Sequence, residues 1–453
     1  MSHRSNSLHA RDIATLVHPQ TNLRQHVETG PSIFTRGEGI YVHDDAGRKY
    51  LEGAAGLWCA SLGFGVERLA KVAYEQMRDI GYYHIYRSVS HAPAIELADR
   101  LIELAPVPMS KVLFQCSGSE ANDTAIKLVW YYWHAMGQPQ KRKIIGRVAS
   151  YHGSTCAAVS LTGKPDMHAD FGLPFDGFIH TDFPHYYRFA EAGESEEEFS
   201  TRMAESLERL ILAEGPETVG AFWAEPVMGA GGAVLPPKTY FAKIQAVLRK
   251  YDILFVADEV ICGFGRTGNM WGSQTYDLQP DMISCAKALS AGLAPISALL
   301  INERVFQAML TESDRLGSFA HGYTYAGHPV TAAVALETLK IYDEMGLVDH
   351  VRRVEPTFLS LLRGLSDHPL VGQADGCGLI GGVEIVDDKA KRTAFPAEAG
   401  INARIEAALR NQGVILRQIG NRIAFSPPLI ISEPQVADLF GRVRAALDEV
   451  ARG

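Results

Sequence analysis

Residues Ser284–Ser290, with the sequence SCAKALS, place Lys287 just before an apolar stretch of the chain, Ile296–Ile301. A charged side chain is rare in such surroundings unless it is paired with an opposite charge or bonded covalently. A second apolar run, Leu254–Val260 (LFVADEV), carries Asp258 near its end. Both runs are typical of buried strands, so we expect the lysine and the aspartate to lie at strand ends in the core of an α/β fold.

The two side chains suit one kind of cofactor. A buried lysine has a lowered pKa, which leaves a neutral amine able to form a Schiff base with an aldehyde. A buried aspartate needs a cationic partner, and a protonated pyridine nitrogen is one. These are the requirements of pyridoxal phosphate (PLP). On Lys287 and Asp258 alone, a salt-bridged pair between two core strands is an equally good interpretation.

A third element favours the cofactor. Val112–Cys116 reads as a buried strand that runs into Ser117–Asn122, where a long helical pattern begins. A strand-to-helix turn of small residues exposes backbone N–H groups at a helix N-terminus, and Ser119 adds a hydroxyl. This turn predicts an anion site, which a cofactor phosphate would fill. An ordinary capped helix start has the same pattern, so the alternative stays open.

Tyr151 follows another predicted strand, Lys143–Gly146, and opens the run Tyr151–Ser154 (YHGS). An aromatic ring at this position is suited to stacking on a cofactor ring. A core aromatic after a strand is the alternative interpretation.

With these runs in view, the chain resembles the class III aminotransferases of the fold-type-I PLP enzymes, and within them the branch that uses pyruvate as acceptor for amines and ω-amino acids. The resemblance extends from about residue 15 to the C-terminus. The matching runs are Thr35–Gly39, Gly56–Cys59, Ser117–Glu120, Tyr151–Ser154, Glu225-Pro226, Ala257–Val260, Gly265–Gly268, Ala286-Lys287, Thr324–Pro329, and Arg417 ahead of Ser426–Pro428.

The organisation of the chain agrees with this resemblance. Residues 40–51 read as a hairpin, and residues 70–325 alternate short apolar strands with helical runs, which indicates a mostly parallel sheet flanked by helices. The resemblance implies a smaller α+β lobe built from both chain ends. We therefore expect residues 1–69 and 331–453 to form the small lobe, and residues 70–330 to form the PLP-binding domain.

The resemblance also implies roles for site residues. Lys287 would carry PLP and move a proton, and Asp258 would keep the pyridine nitrogen protonated. Gly118 and Ser119 would bind the phosphate, and Thr324 would reach that phosphate from the partner subunit of a homodimer. Three further residues would contact the cofactor: Tyr151, Glu225 and Val260. For Glu225 a purely structural hydrogen-bonding role is an alternative.

Substrate recognition is expected at positions where this branch lines its pocket: Trp58, Tyr86, Tyr151, Ala230 and Ile261. Arg417 matches an arginine that grips a carboxylate, for which a planar guanidinium is suited. Two residues depart from the family pattern. Gln20 stands where close relatives often carry phenylalanine, and Arg87 lies in a segment that is usually aromatic or small. Both make the pocket more polar, which favours a substrate with an acidic or hydroxylated tail.

Composition excludes several other classes. The 453 residues are 47% hydrophobic and 21% charged, which is typical of a soluble enzyme with large cores. The net charge of −9 argues against a nucleic-acid binder. No apolar run is long enough to span a bilayer, and none of the six cysteines forms a CxxC pair. We expect a cytoplasmic enzyme that acts on small amines and keto acids, without a metal site.

Alternatives remain within and outside PLP chemistry. An aminomutase, a decarboxylase or a 2-oxoglutarate-dependent aminotransferase could share the lysine, the aspartate and the phosphate site. Residues 263–268 fit the G-x-G-x-x-G pattern of a dinucleotide-binding dehydrogenase, but residues 269–273 do not open a convincing helix. A catalytically inactive binding protein would be expected to lack Lys287 or Asp258.

Overall fold

The computed structural model describes residues 6–452. Within this range the strands are β1 Phe34–Glu38, β2 Tyr41–Asp44, β3 Lys49–Glu52, β4 Lys111–Gln115, β5 Lys143–Arg147, β6 Phe178–Thr181, β7 Val219–Ala224, β8 Leu254–Asp258, β9 Met282–Cys285, β10 Ser297–Ile301, β11 Val371–Cys377, β12 Ile380–Ile385, β13 Val414–Ile415, β14 Arg417–Ile419 and β15 Arg422–Phe425.

The α-helices of the same range are α1 Leu8–Thr15, α2 Leu23–Thr29, α3 Ala55–Trp58, α4 Glu67–Ile80, α5 Ala92–Leu104, α6 Gly118–Ala135, α7 Cys156–Leu161, α8 Tyr186–Phe189, α9 Glu196–Glu214, α10 Tyr240–Lys250, α11 Gly272–Thr275, α12 Glu303–Leu316, α13 Pro329–Met345, α14 Leu347–Gly364, α15 Ile401–Asn411 and α16 Glu433–Arg452. Only the short helix α11 follows the G-x-G-x-x-G match, as expected for a match without the dinucleotide-binding context.

The central sheet has seven strands in the order β4-β10-β9-β8-β7-β5-β6. All neighbouring pairs are parallel except those of β10, which runs antiparallel to both β4 and β9. Every residue of β7, β8, β9 and β10 is buried. Strands buried on both faces read as continuous apolar runs, which explains why the sequence pattern identified β8 and β10.

Alternate residues of these strands pack on opposite faces of the sheet. Phe222, Phe255 and Ile283 belong to the cluster that includes residues of helices α9 and α10. Trp223 and Val256 belong to the cluster that includes residues of helix α6. Helices therefore cover both faces, and the predicted α/β fold with a mostly parallel sheet flanked by helices is confirmed.

Two four-stranded sheets accompany the central one. The first has the order β1-β2-β3-β13, and it contains the predicted hairpin as the antiparallel pair β2–β3. Its last pair joins the two ends of the chain, since β3 runs parallel to β13. The second sheet, β11-β12-β15-β14, is antiparallel throughout.

The two predicted domain boundaries both fall inside helices. The boundary between residues 69 and 70 lies in α4, and the boundary between residues 330 and 331 lies in α13. Both helices pack together. The division into residues 1–69, 70–330 and 331–453 stays a prediction.

No helix in residues 6–452 combines the length and the apolar character that a membrane span requires. All six cysteines are free thiols: Cys59, Cys116, Cys156, Cys262, Cys285 and Cys377.

Glu52, at the end of β3, generates a prediction about pH. Its carboxyl group is buried and accepts a hydrogen bond from the backbone N–H of Ala54 at 2.8 Å. Burial raises the pKa of Glu52 to about 7, although the N–H groups of Ala54 and Gly56 act in the opposite direction. The folded protein therefore keeps the proton of Glu52 at a pH where the unfolded chain has lost it.

We expect the unfolding free energy to fall as the pH rises from about 4.5 to about 7, because in this window the unfolded chain binds fewer protons. Glu52→Gln should remove this dependence. The difference in unfolding free energy between the two proteins should change by about 1–3 kcal/mol between pH 5 and pH 8. Denaturant titrations at both pH values measure it, with Glu38→Gln at an exposed position as control. Parallel pH profiles for wild type and Glu52→Gln would contradict the prediction.

Candidate active site

A cavity of about 420 Å³ opens at the carboxyl edge of the central sheet. The segments that follow β4, β5, β7, β8 and β9 all reach it, because the carboxyl ends of these strands meet at one edge. The residues lining the cavity include eight that the sequence had indicated: Gly118, Ser119, Tyr151, Glu225, Asp258, Val260, Ile261 and Lys287.

Asp258 is the last residue of β8, and its carboxylate is held by three donors. Asn122 Nδ2 donates to Asp258 Oδ2 at 2.8 Å, and His152 Nδ1 lies 2.8 Å from the same oxygen. The backbone N–H of Val260 donates to the other oxygen, Oδ1, at 3.1 Å. Asp258 is only 3% exposed, so these hydrogen bonds replace the water that the charge loses on burial.

Asn122 and His152 are themselves held in place. The indole Nε1 of Trp223 donates to Asn122 Oδ1 at 3.3 Å, and Asn122 Nδ2 also donates to the backbone carbonyl of His152 at 2.7 Å. These contacts set the orientation of the Asn122 amide, with its NH₂ group facing Asp258. The second ring nitrogen of His152, Nε2, lies 3.7 Å from Glu225 Oε2.

Lys287 follows β9, the strand beside Asp258. Its backbone has φ +52°, an uncommon conformation for a residue with a side chain, and it opens a short 3₁₀ turn over Lys287–Ser290. Burial lowers the pKa of the Lys287 amine below its ordinary value, and the positive charge of Arg417 acts in the same direction. Cys59 and Asp258 partly oppose this shift. The lowered pKa favours a neutral amine in the cavity.

The N-terminus of helix α6 forms one wall of the cavity. Ser117 caps this helix, because its Oγ accepts a hydrogen bond from the N–H of Glu120 at 3.2 Å. Gly118 and Ser119 follow and line the cavity. The N–H groups in the first turn of a helix lack partners within the helix, and the helix dipole adds positive potential there. The residues present therefore fit an anionic group such as a phosphate.

Ser119 is positioned by a neighbouring glycine. The backbone N–H of Ser154 donates to Ser119 Oγ at 3.1 Å. Gly153, the preceding residue, has φ +143°, and a Cβ atom placed on it would lie 2.6 Å from Ser119 Oγ. The close approach between the two loops thus requires glycine at position 153.

Glu225 follows β7 and forms a buried ion pair with Arg147. The distance from Arg147 Nη2 to Glu225 Oε2 is 2.8 Å, and the N–H of Tyr151 donates to Glu225 Oε1 at 3.0 Å. Burial alone would raise the pKa of Glu225, but His152, Arg147 and the hydrogen bonds outweigh burial and lower the pKa. Glu225 therefore fixes the loop that carries Tyr151.

Arg417 opens β14 and lies close to the cavity without lining it. Burial lowers the pKa of Arg417, and the positive charge of Arg417 adds to the effect of burial in lowering the pKa of Lys287. Its Nη2 is 3.5 Å from Gln20 Oε1. Burial lowers the pKa of Lys164, and Arg417 also lowers it. Arg417 and Lys164 thus make this side of the cavity electropositive.

The remaining predicted residues are not brought to the cavity. Trp58 is 3% exposed and packs in a small cluster with Val227 and Cys262, while its neighbour Cys59 lines the cavity. Tyr86 is exposed, and its hydroxyl would meet a Cβ atom placed on residue 322. Three others, Arg87, Thr324 and Ala230, are absent from the described lining as well.

Sequence reasoning assigned no role to four residues of the site: Asn122, His152, Arg147 and Cys59. Asn122 lies at the end of the predicted helix start Ser117–Asn122, and His152 lies within the run Tyr151–Ser154 that carried the resemblance. The need of a buried Asp258 for partners was a signal that could have directed attention to them. That Asn122 and His152 are the partners of Asp258 depends on contacts between distant segments of the chain.

Comparisons with known proteins identify the family. The model of the family described as aminotransferase class-III matches residues 24–447. Gamma aminobutyrate transaminase 3, chloroplastic, of Solanum lycopersicum is 50% identical over 420 residues, covering 92% of this chain and 81% of that protein. Gamma-aminobutyrate transaminase 1, mitochondrial, of Oryza sativa subsp. indica is 49% identical over 416 residues, covering 92% and 81%.

Solved structures are similar along nearly the whole chain. An omega transaminase from Pseudomonas jessenii, in complex with PMP, superposes with a TM-score of 0.97 at 52% identity, and the match covers 98% of both chains. A thermostable 6-fold mutant of an omega transaminase from the same organism gives a TM-score of 0.97 at 51% identity, covering 98% of this chain and 99% of that chain. With a family match over most of its length and relatives of this similarity, the chain belongs to the class III aminotransferases, in their omega-transaminase branch, whose cofactor is pyridoxal phosphate.

Proposed function

We propose that the protein transfers an amino group from an ω-amino acid or amine to pyruvate, which yields alanine. The observation that carries the proposal is the meeting of Lys287, Asp258 and the N-terminus of α6 in one cavity. Membership of the family supports amines and keto acids as substrates. The cycle would be ping-pong, because the amino donor and the keto acid would bind in the same cavity one after the other.

Bound PLP supplies an electron-accepting ring that stabilises negative charge at the substrate carbon. The role of Asp258 is to accept a hydrogen bond from the ring nitrogen and so favour its protonated form. The hydrogen bonds from Asn122, His152 and Val260 hold this carboxylate in a fixed orientation. Lys287 would hold the cofactor through its aldehyde. Once an incoming amine had displaced it, the neutral amine of Lys287 would carry a proton from the substrate carbon to the cofactor in the first half of the cycle, and from the cofactor to the carbonyl carbon of the acceptor in the second half.

Four residues would hold the cofactor in this position. Gly118 and Ser119 offer N–H groups and a hydroxyl to the phosphate at the start of α6. Tyr151 lines the same cavity and is suited to stacking on the ring, and Val260 lies beside Gly118. The role proposed for Glu225 is to fix the Tyr151 loop through its ion pair with Arg147.

Substrate preference follows from charge at the cavity. Arg417, with Lys164 nearby, offers a positive site for the carboxylate of pyruvate and for that of an ω-amino acid. Gln20 beside Arg417 adds polarity, in line with a carboxylated rather than a purely arylalkyl donor. The relatives named gamma-aminobutyrate transaminases support the same donor class. 2-Oxoglutarate, which also carries carboxylates, remains the alternative acceptor.

A homodimer is part of the proposal. Thr324 is exposed and far in sequence from the cavity residues, and its carbonyl accepts a hydrogen bond from the hydroxyl of Tyr82 at 3.0 Å. Exposed tyrosines accompany it: Tyr82, Tyr83, Tyr86 and Tyr325. Clustered exposed aromatic rings are typical of protein interfaces. A partner subunit seated on this surface would receive Thr324, and Tyr86 and Arg87 would become candidates for a shared substrate pocket. Trp58, which is buried next to the cavity residue Cys59, would be a candidate for the pocket within its own subunit.

We also propose the cytoplasm as the compartment. Six free cysteines agree with a reducing environment. The plant relatives are named as chloroplastic and mitochondrial proteins, so fractionation of the source cell is the direct test.

The function is tested with the purified holoenzyme and a panel of donors, namely γ-aminobutyrate, β-alanine and an arylalkyl amine. Each is offered with pyruvate or 2-oxoglutarate, and alanine or glutamate is measured by chromatography. We expect alanine from the ω-amino acids with pyruvate. Lys287→Ala should lower turnover by about 10²–10⁴-fold, because it removes the proton carrier. Glutamate without alanine would favour 2-oxoglutarate, and no amino transfer at all would overturn the proposal.

Gly153 provides a test of the phosphate site. In Gly153→Ala the new methyl group collides with Ser119, so we expect the dissociation constant of PLP to rise by at least about tenfold, equivalent to ~1.4 kcal/mol. Gly137→Ala is the matched control, since Gly137 also has a positive φ, +70°, but nothing lies within 4 Å of its Cβ position. Both variants should lose some stability from backbone strain. Equal cofactor affinity in the two variants would show that Ser119 does not bind the phosphate.

Arg417→Ala separates carboxylate recognition from chemistry. Loss of the guanidinium should raise the KM for pyruvate about ten- to a hundredfold, which corresponds to about 1–3 kcal/mol. The KM for an uncharged aldehyde acceptor should hardly change, because Lys287 and Asp258 are untouched. Arg209→Ala, at an exposed position on α9, serves as control. Equal losses with pyruvate and with the aldehyde would mean that Arg417 has a structural role.

A further inference from the structure

Three potential metal ligands meet between the first two helices, remote in sequence from the residues of the active site. Asp12 lies on α1, His26 lies on α2, and His18 lies in the loop that connects them. His18 Nε2 is 2.9 Å from Asp12 Oδ1, and His26 Nε2 is 3.1 Å from the same oxygen. The three ligand atoms lie within 4.8 Å of one another.

His26 makes this cluster unlike an ordinary surface ion pair. Its side chain is 9% exposed, and its Nε2, although 3.1 Å from Asp12 Oδ1, has no hydrogen-bond partner among the described residues. The rings of His18 and His26 also lie close to each other, with centroids 4.3 Å apart. A buried nitrogen aimed at a carboxylate and a second imidazole is suited to an ion that all three can share.

We propose that Asp12, His18 and His26 form a binding site for a divalent transition-metal ion, with zinc the best match. Two imidazole nitrogens and one carboxylate oxygen form a common zinc ligand set, and a water molecule would complete the tetrahedron. Ligand atoms of such a site lie roughly 3.4 Å apart, given metal–ligand distances of 2.0–2.2 Å. The observed separations of 2.9 and 3.1 Å need only a small outward movement.

The place of the cluster gives the ion a structural role. Helix α1 contains no buried residue in the described structure, and His26 is the single buried residue of α2. These helices therefore gain little from hydrophobic packing, and polar contacts must hold them. A metal that binds only the ordered arrangement adds its binding free energy to the stability of that arrangement.

The same segment reaches the active site. Gln20 lies in the loop between His18 and α2, and its Oε1 is 3.5 Å from Arg417 Nη2. The metal would hold this loop at both ends and keep Gln20 beside Arg417. No metal site was predicted from the sequence, because the spacing of the three ligands matches no common metal motif.

Zinc binding to the untagged holoenzyme tests the proposal. Equilibrium dialysis against zinc, followed by elemental analysis, should find one more ion per chain in the wild type than in His18→Ala. Asp12→Asn should weaken the site by at least about tenfold, since it removes the charged ligand. His134→Ala, which removes an exposed histidine on α6, is the control and should bind as much zinc as the wild type. Equal zinc content in the wild type and His18→Ala would overturn the proposal. A loss of bound zinc in His134→Ala as large as that in His18→Ala would also overturn it.

Two further measurements are independent of enzyme activity. Zinc should slow amide hydrogen exchange in residues 8–29 of the wild type, and this effect should be absent in His18→Ala. X-ray absorption of the bound zinc should show nitrogen and oxygen ligands. Sulfur ligands would place the ion on cysteines instead and would contradict the proposal. Amide hydrogen exchange that zinc leaves unchanged would mean that the three side chains form only a polar cluster, and it would also contradict the proposal.

Discussion

The buried carboxylate of Asp258 is the constraint on which the rest of the site depends. A carboxylate at the end of a fully buried strand loses its water, and the loss is offset only by donors placed close to it. Asn122 and His152 supply them, and these residues come from a helix and a loop far away in the chain. The carboxyl edge of the sheet is where these segments and the strand meet.

One chain of contacts connects this carboxylate to the surrounding walls. Trp223 orients Asn122, and His152 lies between Asp258 and Glu225, whose other oxygen accepts from the N–H of Tyr151. Each buried charge in this network faces a donor or an opposite charge. Such a network resists rearrangement, because removal of one member leaves another buried and unpaired, at a cost of about 3–5 kcal/mol.

The central sheet below the cavity and the N-terminal segment are stabilised by different kinds of contact. Apolar packing on both faces fixes the central sheet, so its strand ends are rigid positions for Asp258 and Lys287. The segment that carries Gln20 has little apolar burial in the described structure, and Asp12 connects its helix to the following loop through a hydrogen bond with His18. The central sheet thus holds Asp258 and Lys287 rigidly, while the segment beside Arg417 is less tightly packed. This combination suits an enzyme that must accept two different substrates in turn.

The sequence by itself determined the fold class, the central strands β4, β5, β8 and β10, and the positions of Lys287 and Asp258, because buried strands leave an apolar pattern in which a charged residue stands out. The helix start at Gly118 was also recognisable from the sequence, because the residues that cap a helix act locally. Only the tertiary structure decided which residues surround Asp258, that Trp58 packs beside the cavity rather than lining it, and that β3 pairs with β13. Those outcomes depend on contacts between segments distant in the chain, where local propensity and periodicity carry no information.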